Sequence, residues 1–148
     1  MSDNQIEVQR QFRNQQEKYV YYVLALSVSA LAFAISKTSG VAIKYTHIPL
    51  GIALLCWGIS LFCGFKFIEF TLSSLYANNL YFDVLADRVP ETKNDPDLKT
   101  ILAEGTKNIV KSEGNIAKKY FSWQKRLFLL GILLYLIWHI LEMYMLRV

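Results

Sequence analysis

Three stretches of the chain, residues 19–36, 48–65 and 127–146, are almost unbroken runs of apolar residues, and polar segments separate them. A helix needs about 20 apolar residues to cross about 30 Å of hydrocarbon, and each run approaches that length. Only His139 and Glu142 interrupt the third. Lys18, Lys37, Lys66, Arg126 and Arg147 flank the runs, and their long side chains reach the interface from such positions. The pattern predicts an all-α membrane protein with three transmembrane helices.

The intervening segments carry their own helical pattern. In residues 1–18, Val8, Phe12 and Tyr19 recur at helical spacing, which fits a short amphipathic helix as well as a polar tail. Residues 37–47 form a short outer loop with a Ser39-Gly40 turn signal, and Pro49 suits the first turn of the second helix. Past Lys66, Ile68, Leu72, Leu75, Leu80 and Leu85 extend the second helix toward Arg88. Pro90 opposes helix at Val89, so residues 89–95 read as a turn. Asp95 then caps a new helix with Pro96 in its first position. Leu102, Ile109, Ile116 and Trp123 follow at intervals of seven, which suits an interaction seam. Gly105 and Gly114 weaken this stretch by about 1 kcal/mol each relative to alanine. A continuous helix from Pro96 to Leu146 would be about 75 Å long. Residues 66–126 are therefore expected to form an antiparallel helical hairpin that extends spans two and three within a single domain.

Composition and charge agree with this layout. Hydrophobic residues make up 53% of the 148, more than a soluble domain of this size needs. Thirteen of the 16 Lys and Arg residues fall in residues 1–18 and 66–126, and only Lys37, Lys44 and Arg147 fall elsewhere. The positive-inside rule then places the N-terminus and the hairpin in the cytoplasm and the C-terminus outside. The basic excess reads as an orientation signal, not a nucleic-acid footprint, because the hairpin also holds eight acidic residues. Lys118, Lys119, Lys125 and Arg126 also suit anionic lipid headgroups. A competing reading is a signal peptide cut near Ala32-Phe33-Ala34. The preceding segment lacks the net positive charge such a leader carries.

Three constellations stand out. Cys56, Ser60 and Gly64 form a small-residue ridge, with Ala25 and Ser29, or Ala30 and Ala34, as counterparts on the first span. Such ridges let helices approach closely in lipid, either within one chain or between copies in a homo-oligomer. Cys56 and Cys63 are about 10 Å apart along one helix, too far for a disulfide between them. His139 and Glu142 share a helix face about 20 and 24 Å beyond Arg126, and His47 lies near the same level. Intramembrane ionisable groups should face protein or water. Metal binding, a proton-sensitive switch and a pore lining are functional readings, and a hydrogen-bonded structural pair is the simpler one. No metal or cofactor is expected. The chain lacks nucleophile-elbow, zinc-protease, Walker and dinucleotide-binding motifs, and Asp83 and Asp87 stand without a nucleophile.

Gln16-Glu17-Lys18-Tyr19-Val20-Tyr21-Tyr22, Leu55-Cys56-Trp57-Gly58, Ser74-Leu75-Tyr76-Ala77-Asn78 and Trp138-His139-Ile140-Leu141-Glu142-Met143-Tyr144 together resemble a group of small bacterial three-helix integral membrane proteins. The resemblance implies a bacterial inner-membrane location and no activity. The layout is also similar to small membrane effectors of bacterial nucleotide-signalling defence systems, in architecture alone. Three functions follow as expectations. The first is a non-enzymatic membrane anchor or scaffold that binds a cytoplasmic partner or itself through the hairpin. The second is an oligomeric channel or membrane-permeabilising effector that would bring Ser27, Ser29, Ser60 or the His139–Glu142 pair to a pore. The third is a membrane enzyme built on His47, His139 and Glu142.

Overall fold

The computed structural model describes residues 3–40, 45–93 and 95–145. Three long helices account for nearly all of them: α1 (Asp3–Thr38), α2 (Ile48–Leu85) and α3 (Pro96–Met145). Each is long and apolar enough to cross a membrane. The first apolar run thus lies within a longer helix, because α1 already begins at Asp3. The side chain of Phe12, and residues Lys44, Leu146 and Arg147, lie outside the described residues.

Local chemistry sets the helix ends. At the end of α1, Gly40 takes φ +83°, a conformation that is cheap for glycine. The Ser39 N–H donates to the Ile35 carbonyl at 3.0 Å. A short 3-10 turn, Tyr45–His47, leads into α2, and Pro49 sits in the first turn of that helix as expected. The second helix stops at Leu85, short of the expected Arg88. There Asp87 adopts φ 55°, its N–H donates to the Val84 carbonyl, and the Arg88 N–H donates to the Asp83 carbonyl at 2.9 Å. These paired bonds form a Schellman cap, which ends the helix before Pro90 can act. The Asp87 carboxylate also accepts a hydrogen bond from Lys99 Nζ at 2.7 Å, tying the start of α3 to the end of α2.

The start of α3 is the capped terminus that the sequence predicts. Asp95 Oδ1 accepts from the N–H groups of Asp97 at 3.1 Å and Leu98 at 3.0 Å, which satisfies two otherwise orphan donors. Gly105 and Gly114 do not interrupt the helix.

The chain divides into two compact units, Met1–Gly64 with Phe121–Val148, and Phe65–Tyr120. The first is a three-helix bundle. Its buried and half-buried positions step by three and four: Val20, Leu24, Ser27, Leu31 and Ala34 on α1, Leu50, Ala53, Trp57, Ser60 and Gly64 on α2, and Gln124, Phe128, Gly131, Tyr135, Trp138 and Glu142 on α3. A 3.5-residue repeat keeps one face of each helix toward its neighbours, the geometry of left-handed helix packing. Ala34, Leu50, Trp57 and Trp138 form the apolar centre, with Leu31, Phe128 and Tyr135 against it. The second unit is a hairpin of two helix segments. Phe67, Ala77 and Val84 of α2, Thr92 of the turn, and Thr106 and Ala117 of α3 are its buried positions. The rings of Phe70 and Tyr120 stack at 5.5 Å, and the Ser74 hydroxyl donates to the Val110 carbonyl at 3.4 Å.

Candidate functional site

The small-residue ridge packs within the chain. Cys56, Cys63, Ser60 and Gly64 are all buried. A Cβ on Gly64 would lie 2.6 Å from both Gln124 Nε2 and Leu24 Cδ2, so α1, α2 and α3 converge on this glycine. The Ser60 hydroxyl donates to the Gln124 backbone carbonyl at 2.9 Å. The ridge therefore faces two neighbouring helices rather than the first span alone. Ala25 and Ser29 are exposed, and the Ser29 hydroxyl donates to its own helix at Ala25. The face that α1 turns inward instead carries Leu24, Ser27, Leu31 and Ala34. Gly131 is a second close approach: a Cβ there would lie 2.6 Å from Trp57 Cδ1. Gly51 and Gly58, thin positions on the same helix as the ridge, have open space around them.

At the other end of the bundle, the Tyr45–His47 turn docks on α3. The Thr46 hydroxyl donates to Glu142 Oε2 at 3.3 Å, and the His47 ring lies 6.2 Å from that of Trp138. Trp138 is buried among Tyr135, at 5.4 Å, and the apolar centre. His139 is exposed, with its ring 6.4 Å from that of its chain neighbour Trp138. Glu142 thus has Thr46 as a partner and His47 has Trp138 beside it, whereas His139 is exposed. Among the described residues, no three His, Cys, Asp or Glu side chains are grouped to hold a metal ion.

In the hairpin unit, the helix-facing seam of α3 runs through Ala103, Thr106, Val110, Glu113 and Ala117, beside the sevenfold series read from the sequence. Leu102 and Ile116 flank this seam half-buried, whereas Ile109 is exposed. Trp123, in the bundle unit, is exposed as well. The outside of the hairpin also shows Leu72 at 61%, Tyr76 at 75%, Phe82 at 57% and Ile101 at 67% exposure, values that leave these large side chains with little cover inside the chain. An open cleft of about 260 Å³ lies near the turn, with Tyr81, Leu85, Lys99, Glu104 and Lys107 along it.

Sequence reasoning missed Gln124 and read Ser27 as a pore-lining candidate rather than a packing position. Both are almost fully buried in the bundle, at 1% and 0% exposure. Their signal was present as polar residues at seam positions of a 3.5-residue repeat. Comparison with known protein families gives no match, and neither the curated proteins nor the solved structures give one. Three helices of the described residues are long and apolar enough to cross a membrane, which suggests a multi-pass membrane protein.

Proposed function

We propose that this protein is a non-enzymatic integral membrane anchor whose helical hairpin binds a cytoplasmic partner or another copy of the chain. The observation that carries this reading is the apolar outside of the hairpin unit, where Leu72, Tyr76, Phe82, Ile101 and Ile109 are exposed. On the bundle unit, exposed Leu55, Ile59, Phe62, Leu133 and Ile140 suit contact with lipid. Large apolar side chains on a hairpin in water are left without cover, and patches of that kind mark interaction sites. The charge distribution supports a cytoplasmic hairpin and N-terminus, with the C-terminus outside. The resemblance to small bacterial membrane proteins supports a bacterial inner-membrane location.

Native mass spectrometry of the full chain in nanodiscs, with and without a cytosolic extract, tests the proposal. The anchor reading predicts a defined homo-oligomer or a defined complex, and Tyr76→Lys with Ile101→Lys should abolish it without changing helicity or melting. A strictly monomeric chain that takes up nothing overturns the reading. An oligomer of four or more that resists those substitutions and passes ions through liposomes replaces it with the channel reading.

A further inference from the structure

Within the hairpin unit, α2 carries two stripes on opposite sides. Phe67, Phe70, Ser74, Ala77, Tyr81 and Val84 step by three and four and are buried or half-buried. Phe70 stacks on Tyr120 and Ser74 bonds to Val110, so this stripe packs on α3. Phe65, Ile68, Leu72, Leu75, Asn79 and Phe82 step in the same way on the far side of the helix. Of these, Phe65, Leu72, Asn79 and Phe82 are exposed, and Ile68 and Leu75 are half-buried. Phe65, Leu72 and Asn79 are spaced by sevens, and Ile68, Leu75 and Phe82 each follow one of them by three. These are the two seam positions of a heptad repeat, the spacing that keeps one face turned to a partner helix along its length.

Charge selects the occupant of this outer stripe. The two carboxylates beside it are paired within their own chain, Glu69 with Lys66 at 2.7 Å and Asp83 with Arg88 at 3.1 Å. No charged residue stands in the stripe itself. The face therefore offers a charged partner no complement, and it meets a copy of itself without repulsion. The outside of α3 differs, because Lys107, Lys111, Lys118 and Lys119 are exposed there and two copies of that face would repel. Asn79 adds a second criterion. Its amide both donates and accepts, so an apolar partner would leave it unbonded, whereas a second Asn79 across a twofold axis satisfies it. A single seam asparagine of this kind also fixes register. Because α2 is one continuous helix, copies inserted in one bilayer would present it in the same direction.

We infer that two copies of this chain pair through the outer stripe of α2, in parallel and in register, with Asn79 against Asn79. The inference rests on the proposed cytoplasmic hairpin and names a second copy as its partner. Phe65, Leu72, Tyr76 and Phe82 are each more than half exposed. Covering them in both copies would bury on the order of 1,000 Å² in total, the lower end for a specific interface. Insertion in a shared bilayer raises the effective concentration and favours pairing at that size.

The test is disulfide cross-linking of the full chain in liposomes, with Cys56 and Cys63 replaced by alanine. Single cysteines are placed by Phe65→Cys, Leu72→Cys and Phe82→Cys, and by Ser73→Cys as a control that is exposed beside the stripe. The expected result is a covalent dimer at all three stripe positions, as a parallel pair in register requires, and little at Ser73. Asn79→Asp, which sets two carboxylates against each other, should lower the yield at Leu72 by about tenfold or more. No dimer at the stripe, an equal yield at Ser73, or a yield indifferent to Asn79→Asp overturns the inference. Cross-linking at Leu72 without Phe65 and Phe82 overturns it too, because it indicates an antiparallel or crossed contact. If the stripe gives no dimer but native mass spectrometry finds a complex with a cytosolic protein, this inference fails and the anchor reading stands. A monomeric chain that takes up nothing ends both.

Discussion

The bundle unit and the hairpin unit both pack along a helical seam but differ in what covers their outsides. In the bundle, Ser27, Ser60 and Gln124 are buried while leucine, isoleucine and phenylalanine cover the outside. In the hairpin, the outside mixes Lys107, Lys111, Lys118 and Lys119 with Leu72, Tyr76 and Ile101, and the seam holds small residues such as Ala77, Thr106 and Ala117. With the bundle in lipid, as proposed, apolar surface gives its helices no reason to associate, and close approach at Gly64 and Gly131 with the Ser60–Gln124 bond would hold it together. In water, apolar burial stabilises, and a two-helix hairpin has only one seam in which to achieve it. The bundle should therefore be sensitive to steric change at its contacts, and the hairpin to its caps and helix propensity.

Gly131→Ala should have the largest effect. Its Cβ would meet the rigid Trp57 ring, which is buried and has little room to retreat. Overpacking of this kind costs about 1–3 kcal/mol, and melting in mild detergent should fall accordingly. Gly58→Ala, with nothing within 4 Å of its added methyl, is the control and should melt no lower than wild type. Equal effects at the two glycines would break the packing account of the bundle. Asp95→Ala should come next. It removes the acceptor for the Asp97 and Leu98 N–H groups and should cost about 0.5–2 kcal/mol. Faster amide exchange confined to the start of α3 would show the loss, and unchanged exchange there would contradict it.

In the hairpin, Gly105→Ala and Gly114→Ala meet no atoms within 4 Å. Each should gain up to about 1 kcal/mol of helix stability, seen as slower amide exchange over the hairpin. Slower exchange at neither site would mean that these glycines serve something other than helix formation. The smallest effect belongs to the start of α1. Glu7 accepts a hydrogen bond from Gln11 and pairs with Arg10, and these interactions hold its carboxyl below the usual carboxylate range. A depressed folded value means that this stabilisation is present above the unfolded value and lost as pH falls through the folded one. Helicity at residues 5–12 should decline slightly in acid, and Glu7→Gln should flatten that dependence in a residue-resolved NMR titration.

The parts legible in the sequence were those fixed by local chemistry. The three apolar runs gave three helices, and Pro49 and Asp95 marked helix starts. The rotation of each helix was harder to read. In an apolar span every face is hydrophobic, so the pattern does not distinguish the lipid side from the protein side. Hence Ala25 and Ser29 looked as suitable for contact as Leu24 and Ser27, although only the latter pair turns inward. The same shift of face separates Ile109 from the Thr106 and Val110 positions that pack on α2. The end of α2 was misplaced because an aspartate at φ 55° terminates it, and a left-handed residue other than glycine leaves little trace in sequence. Gly131 shows as a contact only once Trp57 is in place beside it.

The central claim is that the bundle lies in lipid and the hairpin in water, and spin-label accessibility in liposomes tests it most directly. Ile59→Cys and Leu133→Cys on the bundle, and Tyr76→Cys and Ile109→Cys on the hairpin, would each carry a nitroxide with Cys56 and Cys63 replaced by alanine. The account predicts relaxation by oxygen at Ile59 and Leu133, and by a water-soluble nickel chelate at Tyr76 and Ile109. Chelate access at Ile59 and Leu133, or oxygen-dominated relaxation at all four, would contradict it.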